Sequence, residues 1–115
     1  MSDDGLIFVL CTFPDEAVAR AAAGLLVEER LVACVNILPG VQSVYRWEGA
    51  VESSVEALTI LKTTAQGWAG LEERLREIHP YQVPEIVAVP AGAVSAAYLE
   101  WVQRSVACPA GREDR

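Results

Sequence analysis

Leu6 to Cys11 is an unbroken apolar run, Leu-Ile-Phe-Val-Leu-Cys, short and rich in β-branched and aromatic side chains. It predicts a strand buried on both faces. Thr12-Phe13-Pro14-Asp15-Glu16 follows, with a capping hydroxyl, a helix-starting proline and acids for the first turn. Val18, Ala22, Leu25 and Leu26 then fall on one side of an amphipathic helix reaching Arg30. Leu31 to Leu38 reads as a second strand closed by the breaker pair Pro39-Gly40. From Val41 to Trp47 the pattern alternates, with Val41, Ser43, Tyr45 and Trp47 on one side. A turn at Glu48-Gly49-Ala50 leads back through Val51 to Thr64, so Leu31 to Thr64 is expected to be one long, bent hairpin.

Trp68, Leu71, Leu75 and Ile78 recur at helical spacing among charged residues. That second helix must stop at His79, because Pro80 disfavours helical geometry in the residue before it. Glu85 to Val89 predicts a short strand, and Ser95 can cap a last helix carrying Tyr98, Leu99, Val102 and Val106 on one side. The order β-α-β-β-α-β plus a C-terminal helix is the ferredoxin-like α+β pattern. Residues 1–107 form the expected domain, and 108–115 a polar tail.

In this pattern helices cover one face of an antiparallel sheet, and the other face should alternate with polar residues. The first strand is instead apolar at both parities (Leu6, Phe8, Leu10 and Ile7, Val9, Cys11), as is Ile86 to Val89. Two or three helices cannot cover both faces of a small sheet, so the second face is expected to meet another subunit in a closed homo-oligomer.

Composition narrows the class. The chain has 115 residues, 52% of them apolar, with 16 acids against 9 bases for a net charge of −7. One domain fits this length. The acidic balance and the scattered arginines argue against nucleic acid as a partner, since phosphate contacts need basic surface. A membrane span needs roughly 18 uninterrupted apolar residues, and the longest candidate, Ile86 to Leu99, is broken by Pro90, Gly92 and Ser95. Cys11, Cys34 and Cys108 are odd in number, widely spaced and without a CxxC pair, as expected of reduced thiols in a cytoplasm.

Common catalytic and cofactor signatures are absent from the sequence, and His79 is the single histidine. The informative segment is His79-Pro80-Tyr81-Gln82-Val83-Pro84-Glu85, where two prolines fix an imidazole, a phenol and a carboxylate within seven residues. It serves either as a pre-positioned binding site or as a stiff connection between helix and strand. Lys62 shares strand parity with Leu58 and Ile60, so it either snorkels from the strand end or pairs with an acid such as Glu85 near a pocket. A thiolate at Cys11 beside an imidazole suits copper or zinc; a buried thiol is the plainer reading of both Cys11 and Cys34.

Ala33-Cys34-Val35-Asn36-Ile37-Leu38-Pro39-Gly40, Tyr45-Arg46-Trp47-Glu48-Gly49, Leu61-Lys62-Thr63-Thr64 and the His79 to Glu85 segment occur in this order. With Cys11 to Glu16 and Tyr98 to Trp101 they resemble the successive motifs of the CutA divalent-cation-tolerance family, over Ile7 to Val106. The resemblance implies a homotrimer, built like the PII signalling proteins, cytoplasmic and linked to copper and other divalent cations, with no enzymatic reaction attached. It places copper ligands at Cys11 and His79, with Ile78 standing where some members carry a further histidine. Three readings follow. The first is a metal-binding trimer using Cys11 and His79. The second is a signalling trimer with Lys62, Tyr81 and Glu85 around a small anionic ligand between subunits. The third and weakest is an enzyme using His79 as a general base.

Overall fold

The computed structural model describes residues 4–107. Four strands, β1 (Leu6–Phe13), β2 (Cys34–Trp47), β3 (Ala50–Thr64) and β4 (Val87–Pro90), form one antiparallel sheet in the order β2-β3-β1-β4. Helices α1 (Glu16–Glu28), α2 (Trp68–Ile78) and α3 (Ala96–Ser105) complete the ferredoxin-like α+β fold expected from the pattern. The expected tail, 108–115, lies outside the described residues.

The main core lies between the sheet and the helices α1 and α2. Val9, Cys11 and Phe13 of β1 and Ala57 and Leu61 of β3 meet Ala19, Ala22 and Leu26 of α1 and Leu71 and Leu75 of α2. The opposite parity of the same strands faces α3, where Leu6, Ala33, Val102 and Val106 are buried against Phe8, Tyr98 and Leu99. So α3 covers one end of the second face from within the chain. It leaves Leu38, Val87 and Val89 between 41% and 48% exposed. The part of that face beyond α3 is thus left open within the chain.

Three of the boundaries that differ from expectation do so for a local reason. Asp15, not Thr12, caps α1: its Oδ1 accepts the Val18 N–H at 2.9 Å, which leaves Thr12 and Phe13 free to extend β1. The second strand begins at Cys34 and not at Leu31, because α1 closes in a Schellman turn. Arg30 is left-handed (φ 61°), its N–H reaches the Val27 carbonyl, and the Leu31 N–H reaches Leu26. Pro39-Gly40 does not end β2 but makes a bulge in it, between the pairs Leu38–Leu58 and Val41–Glu56. Gly40 takes φ 71° there.

The bulge has a consequence for the faces. Cys34, Asn36 and Leu38 share the second face before it. The extra residue shifts parity by one, so Val41, Ser43, Tyr45 and Trp47 continue that same face after it. Glu48 and Gly49, at φ 50° and 85°, form the two-residue turn that joins Trp47 to Ala50. Because β1 pairs with β3 only as far as Phe13–Ala57, the hairpin beyond Glu56 is a bare two-stranded ribbon. It gives the molecule its long dimension, 50 Å against 28 and 24 Å.

Candidate functional site

Where the ribbon leaves the sheet, the segment after α2 folds against it. His79 ends the helix with extended backbone (φ −74°, ψ 136°), as Pro80 requires, and so turns the chain toward the end of β1. The imidazole stacks on Phe13 with centroids 4.5 Å apart and is 8% exposed. Its Nε2 lies 2.7 Å from the Thr12 carbonyl oxygen, and its Nδ1 lies 3.1 Å from the Tyr81 backbone nitrogen. A carbonyl only accepts and a backbone N–H only donates, so Nε2 carries the proton and Nδ1 is the acceptor. Burial lowers the pKa of His79 below its ordinary value; the bond to Thr12 and the charge of Glu56 oppose this less strongly. The ring is neutral, and both nitrogens are engaged.

Tyr81 continues the network. Its hydroxyl donates to Glu56 Oε2 at 2.6 Å, which satisfies a carboxylate that is 9% exposed. Burial, then the bond to Glu56, raises the tyrosine pKa. Together these residues wall a cleft of about 870 Å³ between the ribbon and the turn, lined by Thr12, Tyr45, Trp47, Glu56, Tyr81 and Glu85 among others. Two carboxylates and three aromatic rings face it, and among the described residues that line it there is no lysine or arginine.

The residues singled out from the sequence fall in three places. Tyr81 and Glu85 line this cleft, with His79 behind it. Cys11 is wholly buried in the main core, on the parity opposite to Thr12. Its thiol is pushed up to about 12 by burial and then by the charge of Glu85, so the sulfur is a neutral thiol. Lys62 is paired opposite Phe8 and lies six residues along β3 from Glu56, about 20 Å at a strand's rise. Its partners are Asn36 and Cys34, not Glu85. Glu56 was missed from the sequence, although it carried a signal: a carboxylate at the same strand parity as Leu58 and Ile60.

Cys11 and His79 do not fit a metal as they stand. A metal ligand needs a free imidazole lone pair and a thiolate. Here the imidazole lone pair takes the Tyr81 N–H, and the sulfur is protonated in an apolar core. Among the described residues, no three His, Cys, Asp or Glu side chains gather into a ligand set.

The architecture defines a small ferredoxin-like domain with a projecting ribbon and a cleft at its root. A family profile described as CutA1 divalent ion tolerance protein matches residues 7–105. The divalent-cation tolerance protein CutA of Thermus thermophilus is 50% identical over 97 residues, 84% of this chain and 94% of that one. The crystal structure of CutA1 from Oryza sativa superposes with a TM-score of 0.86 at 40% identity, covering 91% of this chain and 97% of that one. The CutA structure from Archaeoglobus fulgidus, described as a periplasmic divalent cation tolerance protein, gives a TM-score of 0.84 at 32% identity, covering 87% and 97%. The chain belongs to the CutA1 divalent ion tolerance family.

Proposed function

We propose that this chain is a homotrimer of the cytoplasm that serves tolerance to divalent cations, copper among them, and that it receives the cation in the cleft at the ribbon's root. The observation that carries this reading is the charge of the cleft. Glu56 and Glu85 supply the ionisable oxygens and Tyr45, Trp47 and Tyr81 the rings. Such a lining favours a positive ligand over an anion. The anionic alternative relied on Lys62, which within one chain lies at the other end of the second face. A role in tolerance and no reaction accords with a neutral His79 whose nitrogens are both occupied.

Two features support the trimer. A two-stranded ribbon is marginal alone in water, and this one exposes Val44, Val51 and Val55 by 62–71%. A neighbouring subunit laid along it would supply the missing cover and close the open side of the cleft. Cys11 and Cys34 are free thiols, which suits a reducing compartment.

Sedimentation equilibrium tests the assembly. A mass near three times the 12.4 kDa chain is expected, and a Val44→Lys, Val55→Lys variant should fall toward the single chain. A monomer in the unaltered protein contradicts the reading. Uptake of copper or zinc by the trimer in equilibrium dialysis tests the ligand. Uptake unchanged in Glu56→Gln, Glu85→Gln places the cation elsewhere.

A further inference from the structure

At the other end of the second face, away from the cleft, Lys62 lies half-buried beside Phe8 and Ile60. An ammonium on an apolar face normally has an anion beside it. Among the described residues, Lys62 forms no ion pair with a carboxylate. Its Nζ donates instead to Asn36 Oδ1 and, at 3.6 Å, to the sulfur of Cys34. Of these two partners only the thiol can ionise. A second group converges on the same sulfur from α3: the Tyr98 hydroxyl is 3.8 Å away. Burial, and then the contact with Cys34, raises the pKa of Tyr98, which keeps it a donor.

The other described thiol has opposite surroundings. Cys11 is fully buried, with the charge of the Glu85 carboxylate in range. Cys34 is half-buried at the start of an edge strand, with an ammonium and a phenol aimed at its sulfur. A cation beside a partly exposed sulfur is the usual setting of a reactive cysteine.

We propose that Cys34 is a peroxide-reactive thiol, and that Lys62 and Tyr98 are positioning residues that orient its sulfur. In the reaction the sulfur attacks one oxygen of hydrogen peroxide. An S–O bond forms as the O–O bond breaks, so the sulfur is oxidised to a sulfenic acid and the peroxide is reduced. The departing hydroxide takes a proton from the Lys62 ammonium and leaves as water, and Lys62 recovers a proton from solvent. The net change is thiol plus hydrogen peroxide to sulfenic acid plus water.

The test uses the assembled protein carrying Cys108→Ser, so that the two described thiols alone report. It is exposed to hydrogen peroxide, trapped with dimedone and read by peptide mass spectrometry over a time course. Cys34 should be labelled and Cys11 not. Lys62→Met should slow labelling by about tenfold, and Lys62→Arg should restore most of the rate. Should Lys62→Met not fold, Tyr98→Phe, which keeps the ring, provides the second reading, with an expected slowing of about threefold. An unlabelled Cys34, or equal rates in the unaltered protein and the folded variants, overturns the proposal.

Discussion

His79 and Thr12 are joined by a 2.7 Å hydrogen bond from the imidazole Nε2–H to the strand's carbonyl, across 67 residues of sequence. The bond ties the end of α2 to the end of β1. Together with the Tyr81 N–H on Nδ1, it fixes a neutral tautomer in a nearly buried ring.

Stability should therefore fall with acid through this residue. Burial places the folded pKa below the ordinary 6.5, so below that pH the unfolded chain binds a proton that the folded chain does not. Its contribution is complete above about pH 6.5 and is lost as pH falls through the lower, folded value, with a slope of at most about 1.4 kcal/mol per pH unit. Urea denaturation between pH 7 and 5 should show a weaker dependence in His79→Gln than in the unaltered protein. Identical slopes would mean that His79 does not titrate differently in the two states.

Tyr81→Phe should destabilise the fold by about 1–3 kcal/mol, because it leaves the buried Glu56 carboxylate without its donor. Adding Glu56→Gln to that variant should cost less than the single changes summed, which a double-mutant cycle in urea measures. Additive effects would show that the bond carries no coupling. In a spectrophotometric titration, the Tyr81 phenol should ionise above the range of a free tyrosine.

Gly67 is a steric prediction. A Cβ there would stand 2.7 Å from Thr63 Oγ1 and 3.0 Å from Val106 Cγ1. The threonine cannot turn aside without losing its bond to the Leu31 carbonyl. Gly67→Ala should lower stability by about 1–3 kcal/mol, read as a drop in the urea midpoint. An unchanged midpoint would show that the junction of α2 and α3 yields freely.

Local chemistry carries most of the fold in the sequence. Pro80 announces the end of α2, Glu48-Gly49 the turn, and the double apolar parity of β1 a sheet packed on both sides. What escapes is set by tertiary contact. Arg30 ends α1 in a left-handed turn that ordinarily suggests glycine, so the apolar pattern starts β2 three residues early. Strand parity leaves Lys62 between solvent and Glu85, whereas a thiol and an amide across the β2–β3 ladder receive it. Glu56 gains its place from Tyr81, 25 residues away, and which His79 nitrogen carries the proton depends on a carbonyl 67 residues away. No local pattern encodes either pairing.

If the cleft carboxylates receive the divalent cation, the buried thiol and imidazole should be dispensable for binding it. Titration calorimetry of copper into the metal-free trimer, in parallel with Glu56→Gln, Glu85→Gln and with Cys11→Ala, His79→Gln, tests this directly. Binding should be lost or weakened at least about tenfold in the carboxylate variant and kept in the other, as long as both remain trimeric. Loss of binding in Cys11→Ala, His79→Gln, with the carboxylate variant unaffected, would contradict it.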